Sequence, residues 1–263
     1  MQFKLIDTHC HLDFRDFDKD RDKVIKRAYE GGVKKMINIG CDLEQAKKSI
    51  EIAKKHDFIF AACGLHPQEA DKGNEKFFEE LRKLLKEPKV VAIGECGLEY
   101  FGEHNNPESR EKQKEVFLKH LVLAKEFKKP AIIHCRNAYS EILEILKKEK
   151  EKNSELSGVV HCFVGRLAQA EEFLKLDFSI SFTGIITYAR DYDKVIKNIP
   201  IEKIMVETDA PFVSPLPYRG KRCEPLYVKY VAEKIAELKG LSFEKVAQTT
   251  TENAETFLKF DII

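Results

Sequence analysis

This chain of 263 residues predicts a single-domain (β/α)₈ barrel of the TIM type, on three observations. Short β-branched or apolar runs recur eight times along it, and stretches with helical periodicity lie between them. The runs are too apolar for a sheet with one face in water, so the strands are expected to be parallel and covered on both sides.

In order, the predicted strands are residues 4–9, 35–40, 58–64, 90–95, 131–134, 158–161, 178–182 and 204–207. Helices are predicted over 20–30, 44–55, 75–86, 108–127, 139–150 and 168–176. The fourth of these carries the fullest set of signals. Asn106 can cap it, Pro107 suits its first position, and Val116, Phe117, His120, Leu121, Ala124 and Phe127 recur at helical spacing, a stripe expected to face the barrel. With 43% hydrophobic residues and no linker, one domain over 1–263 is expected, and the charged run 147–157 (KKEKEKNSELS) reads as a solvated helix end and loop.

Composition narrows the function classes. Lys and Arg number 45 against 44 Asp and Glu, so no global field draws the protein to nucleic acid or to an anionic membrane, and any phosphate recognition must be local. No apolar run approaches the roughly 20 residues that span a bilayer, and the amino end lacks a signal-peptide pattern. A soluble, cytoplasmic protein with no membrane partner and no obligate protein partner is expected. The seven cysteines are scattered without a CxxC pair and read as reduced thiols.

In such a barrel the active site gathers at the C-terminal ends of the strands, and here those ends are uniform in chemistry. The first ends in Asp7-Thr8-His9-Cys10-His11, the third in Gly64-Leu65-His66-Pro67, and the fourth in Gly94-Glu95-Cys96-Gly97. The fifth, sixth and eighth end in His134-Cys135-Arg136, His161-Cys162-Phe163 and Glu207-Thr208-Asp209-Ala210. His9 and His11, two residues apart, can point to one side and meet one ion. A lone histidine at a strand end is more often a hydrogen-bonded core residue than a ligand, but six ligand-type residues on five ends are a pattern. His9, His11, Glu95, His134, His161 and Asp209 are therefore the expected metal ligands, with Glu95 and Asp209 also catalytic. Imidazole and carboxylate donors together suit zinc, manganese, iron or nickel better than calcium, with magnesium less natural.

The remaining polar residues serve as controls. His120, on an apolar helix stripe, is expected to be structural; His56 is assigned no function, and His104, in the loop after the fourth strand near the mouth, is more often a surface residue than a substrate contact. Cys10, Cys96, Cys135 and Cys162 each follow a proposed ligand and are expected to point outward into the helix layer as small apolar groups. Asp7, taken to be in phase with His9, is either an acceptor that orients an imidazole or a buried loop anchor.

Read together, DTHCHLD, GLHP, GECGLEY, IIHCRNA, HCFVG, ETDAPF, PYRGKRCEP and TTENAETFL resemble, in order and spacing, the TatD family of metal-dependent deoxyribonucleases within the amidohydrolase superfamily. The resemblance covers essentially the whole chain. It implies hydrolysis of DNA phosphodiester bonds by metal-activated water, of the 3′→5′ exonuclease type, with single-stranded DNA or 3′ ends as substrate. It also implies two divalent cations, one held by His9, His11 and Asp209, the other by His134 and His161, with Glu95 between them. His66 matches the histidine of the family's GLHP. Arg136, Arg219 and Arg222, with Lys221 nearby, are the expected phosphate-binding residues, and Tyr100, Phe101 and Phe163 offer either base-stacking faces or core packing. Asn137, Glu99 and Cys223 depart from the family pattern without removing a ligand.

Two other readings share this site. A small-molecule amidohydrolase or phosphotriesterase, or an aminoacyl-RNA deacylase, would use the same histidines, although such barrels often bridge their metals with a carboxylated lysine where this chain has Glu95. A non-catalytic metal-binding barrel is the third.

Overall fold

The computed structural model describes residues 3–258. The expected domain, 1–263, extends past these at both ends, and those terminal residues lie outside the description. Eight strands pair in chain order as one parallel sheet: β1 (Leu5–Cys10), β2 (Val33–Gly40), β3 (Ile59–Cys63), β4 (Val90–Glu99), β5 (Ala131–Arg136), β6 (Gly158–Val160), β7 (Ser179–Phe182) and β8 (Ile204–Val206). Parallel neighbours require a crossover, and helices supply it: α1 (Arg21–Glu30), α2 (Leu43–Lys55), α3 (Glu75–Leu84), α4 (Pro107–Phe127), α5 (Tyr139–Lys152), α6 (Leu167–Lys175) and α7 (Asp193–Asn198), followed by α8 (Val228–Lys239) and α9 (Phe243–Leu258). The fold is a (β/α)₈ barrel. Among the described residues no helix is long and apolar enough to cross a membrane.

Closure of the sheet falls just beyond β8. Cys10 bridges Ala210, His11 N donates to Ala210 O at 2.7 Å, and Asp209 N donates to His9 O at 2.8 Å. The seam of the barrel is thus tied by the backbone of three proposed ligands.

Local signals account for the elements. Asn106 Oδ1 accepts from Ser109 N at 2.9 Å and Pro107 opens α4, as expected, while Asp42 and Asn74 cap α2 and α3 in the same way. The strands differ from expectation at their ends. β4 continues to Glu99 because Gly97, Leu98 and Glu99 pair with His134, Cys135 and Arg136 of β5. β6 and β8 stop one residue before His161 and Glu207, which sit on the turns leaving the sheet. The helices α7, α8 and α9 add to the six predicted.

Two apolar clusters form the core. The larger packs the outer strand faces against the helices; the smaller gathers Ile6, Ile37, Ile39, Phe60, Ala62, Ile132, Val159 and Met205 inside the barrel, with Ala254 and Leu258 of α9 against them. Ile132 and Val159 share strand phase with His134 and His161, so the site rests on this inner apolar layer. Each fully buried large side chain contributes about 2 kcal/mol.

β1 departs from simple alternation. Asp7 pairs with Met36 but Cys10 pairs with Asn38, three residues of β1 against two of β2, so one extra residue is inserted between them. Asp7 therefore does not share the phase of His9, contrary to expectation. Its carboxylate accepts from Thr208 N at 2.9 Å, Thr208 Oγ1 at 2.5 Å and the backbone N of His9 at 3.3 Å. It anchors the strand-eight loop and touches no imidazole nitrogen.

Gly97 lets β4 and β5 meet beside the site. Its φ is +148°, and a Cβ there would lie 2.0 Å from the carbonyl oxygen of His134. Gly97→Ala is expected to cost about 3 kcal/mol or more, lowering Tm by roughly 10 °C in thermal denaturation. An unchanged Tm would contradict this account of the β4–β5 contact.

Candidate metal centre

Six strand ends deliver their side chains to one pocket. From β1, the inserted residue brings His9 and His11 round together, with Nε2 atoms 3.2 Å apart. Asp209 comes from beyond β8 with a left-handed backbone, φ +55°, and its Oδ1 lies 3.3 Å from His11 Nε2 and 3.7 Å from His9 Nε2. Glu95 of β4 stands at the centre: Oε2 is 3.3 Å from His9 Nε2, whereas Oε1 is 2.6 Å from His134 Nδ1 and 2.7 Å from His161 Nε2. His66, after β3, brings its Nε2 to 3.5 Å from Glu95 Oε1. The rings of His9 and His161 stack at 4.0 Å.

Burial makes the charges interdependent. Alone, it would raise Glu95, but His161, His66 and His134 outweigh it and hold the carboxyl well below its usual range. Asp209 is lowered too, burial being overcome by His11 and His9. His9 is lowered as well, kept neutral by burial and by His161. His11, His134 and His161 are raised, burial being outweighed by Cys41 and Asp209 at the first and by Glu95 at the other two. Neutral imidazole and ionised carboxylate are the forms that bind metals.

Several residues outside the expected ligand set complete the surroundings. Glu99 Oε2 lies 3.2 Å from His134 Nε2, the face opposite Glu95, and Glu207 Oε1 lies 3.4 Å from His161 Nδ1 while accepting Cys162 N at 2.6 Å. Each carboxylate thus addresses the far nitrogen of an imidazole, the arrangement that sets the direction of a ligating ring. Asn38 accepts Leu12 N at 2.5 Å and donates to Ser49 Oγ at 2.7 Å, steadying the chain after His11. Cys41, just past β2, places Sγ 3.9 Å from His11 Nδ1 and 3.8 Å from Glu95 Oε2. Strand-end position points to all of these except Asn38, whose signal is a polar residue within an apolar run.

Other expected residues separate. Arg136 lines the pocket, with its guanidinium 4.1 Å over the exposed Phe101 ring and 3.8 Å from Glu99. Arg219 is exposed and lies 4.2 Å over Tyr188. Arg222 is engaged elsewhere, since its guanidinium forks onto both oxygens of Asp20 at 2.8 and 2.7 Å, reaches Glu224 at 3.2 Å, and covers Phe17. Those carboxylates satisfy it, so in this structure it tethers the last loop to the start of α1 and stands apart from the metal pocket. Phe163 is core, packed on Tyr139 and Phe173, and Tyr100 is buried under Arg110. Cys10 and Cys96 pack in the outer cluster as expected, and Cys135, which also borders the pocket, packs there too. Cys162 does not; its left-handed backbone, φ +43°, turns it to the pocket wall, 3.6 Å from Thr183 Oγ1. His120 is structural, accepting Leu65 N at 3.0 Å and meeting Val116 O at 2.7 Å. His104 and His56 lie outside the pocket wall.

The donor spacing fits metal ions. A tetrahedral ion with bonds of about 2.0–2.1 Å separates its ligand atoms by about 3.3 Å. The distances His9 to His11 (3.2 Å), His11 to Asp209 (3.3 Å) and His9 to Glu95 (3.3 Å) match it. Two imidazole nitrogens aimed at one another beside a carboxylate are poor hydrogen-bond partners and good joint ligands. His9, Glu95 and His161 form a second compatible group, and His66, Glu95 and His134 a third. The cluster is able to hold metal ions.

Comparison with known proteins supplies the family. The family model described as "TatD related DNase" matches residues 6–259. An uncharacterized metal-dependent hydrolase of Bacillus subtilis, YabD, is 42% identical over 259 residues, covering 98% of this chain and 100% of that one. A protein of Erwinia amylovora named 3′-5′ ssDNA/RNA exonuclease TatD is 33% identical over 258 residues, covering 95% and 98%. Among solved structures, the TatD homologue YJJV of Escherichia coli superposes with a TM-score of 0.90 at 32% identity, covering 98% of each chain.

Ligand binding to the folded state alone raises stability. Saturating Mn²⁺ or Zn²⁺ is therefore expected to raise Tm and a chelator to reverse it, with Glu95→Ala losing the rise. His120→Leu is expected to cost about 2 kcal/mol yet keep it. An equal metal-induced shift in Glu95→Ala would remove Glu95 from the ligand set.

Proposed function

This chain belongs to the TatD related DNase family of metal-dependent hydrolases, and on that premise we propose that it is a deoxyribonuclease that removes nucleotides from 3′ ends of single-stranded DNA. The observation that carries the reading is the division of Glu95: one oxygen faces His9, and the other faces His134 and His161. Two divalent cations, with zinc, manganese or magnesium as candidates, would be held by His9, His11 and Asp209 on one side and by His134 and His161 on the other, and Glu95 would serve both. When bound, the pair would neutralise the diester's charge and lower the pKa of water toward 7.

The chain's own groups supply the rest. Asp209 lines the pocket and is held ionised, which fits it to accept the proton of the attacking water. His66 Nδ1 accepts from Gln68 N at 3.2 Å, so the neutral ring carries its hydrogen on Nε2, the atom turned toward Glu95 and the pocket. Burial and the neighbouring His134 lower its pKa to about 3, and the ring acts as a neutral donor to a phosphate oxygen. Arg136, steadied by Glu99 and Phe101, offers the charged donor on the wall. Arg219, exposed on Tyr188, stands for a more distant phosphate. The Erwinia relative's name supports the 3′→5′ polarity, and Glu95, where many amidohydrolases have a carboxylated lysine, favours a nuclease over an amide or lactone hydrolase.

Asp209→Asn is expected to lower nucleotide release from single-stranded DNA by about 10²- to 10⁴-fold with metal still bound, and Glu95→Ala to abolish it. Arg136→Ala should raise KM about tenfold, whereas Arg222→Ala should keep turnover and lose about 1 kcal/mol of stability. That tether acts fully at neutral pH. Burial opposes ionisation of Glu224, but Arg27 and Arg222 outweigh it and lower its pKa, so the contribution fades on acidification through this lowered range. Wild-type-like cleavage by Asp209→Asn, or turnover of lactones but not DNA by the wild type, would overturn the proposal.

A further inference from the structure

The metal pocket, a cavity of ≈ 700 Å³, does not end at its own walls. On the β1 side Phe14 and Phe212 close it, edge to face at 5.7 Å. Toward β3 its wall carries Glu69, which is paired with Lys72. Toward β6 and β7 the boundary is a sill of two residues, Val164 and Tyr192, and both also line a second cleft of ≈ 550 Å³ on the far side. Val164 is held there by its N, which donates to Tyr139 Oη at 3.1 Å.

The second cleft carries two cations, Arg166 and Lys194, against one carboxylate, Asp191. Both cations are exposed, and neither makes an ion pair with a carboxylate among the described residues. Their neighbour Arg190, by contrast, is bound to Asp193 at 2.6 Å. The amino end of α6 opens into the same cleft and adds partial positive charge there. In a chain with almost no net charge, a polyanion is held only where free cations adjoin the reacting centre.

We propose that the single strand of DNA leaves the metal pocket over the Val164–Tyr192 sill, and that Arg166 and Lys194 bind its backbone phosphates in the cleft between the β6–α6 loop and α7. This rests on the reading of the pocket as a phosphodiesterase. The cleft is an extended-substrate site: it engages a polymer and is out of reach of a small diester that fills the metal pocket alone.

The test compares wild type with Arg166→Ala/Lys194→Ala, both loaded with Mn²⁺, on a labelled single strand of about ten nucleotides and on bis(p-nitrophenyl) phosphate. The variant is expected to raise KM for the strand about tenfold with little change in kcat. Its preference for the strand over the small diester, as a ratio of kcat/KM, should fall by the same factor. In fluorescence anisotropy, the slope of log affinity against log salt should become shallower by about 1.4, the loss of two single-strand phosphate contacts. An unchanged KM and salt slope would overturn the path while leaving the phosphodiesterase reading intact. Equal losses on both substrates would also overturn the path, since they would place the effect in the metal pocket. A wild-type protein that cleaves neither substrate would overturn the phosphodiesterase reading, and the path with it.

Discussion

Everything at this site depends on Glu95 being surrounded. Its two oxygens lie within 3.5 Å of nitrogens on four histidines, brought from the ends of β1, β3, β5 and β6. A buried carboxylate is costly unless positive charge or donors meet it, and buried imidazoles are disfavoured as cations unless a carboxylate is near. Each group thus makes the other tolerable. The nitrogens that face each other across His9 and His11 suit a cation, which the cluster is able to hold.

The barrel contributes this convergence through its seam. Closing a sheet of eight parallel strands brings the end of the last beside the end of the first, and here the closing hydrogen bonds run through the backbone of His9, His11 and Asp209. Metal donors and structural closure occupy one segment. Asp7 reinforces it by holding Thr208 from behind, and Arg222 ties the following loop to Asp20 and Glu224. Left-handed backbones at Cys162, Asp209 and Val213 cluster at the same rim, strain held by the surrounding packing.

Much of this is legible in the residues. Alternating apolar runs and helical periods locate the eight strands, because a parallel strand buried on both faces leaves a continuous apolar signature. The ligand cluster is legible because strand ends of a barrel meet in space. Other features depend on local geometry that spacing does not carry. One inserted residue in β1 changes the phase of Asp7, and one left-handed residue turns Cys162 to the pocket. Arg222 reads as a phosphate ligand because its motif does not disclose that Asp20, 202 residues away in sequence, reaches it first. Glu99 and Glu207 are visible at strand ends, but they act on the far nitrogens of His134 and His161, a pairing that only the three-dimensional arrangement reveals.

The most direct test of the central claim is an anomalous difference map from crystals of the wild-type protein soaked with Mn²⁺. The account predicts two peaks about 3.5–4 Å apart on either side of the Glu95 carboxylate, one against His9, His11 and Asp209 and the other against His134 and His161. Strong peaks elsewhere with none at Glu95 would contradict it.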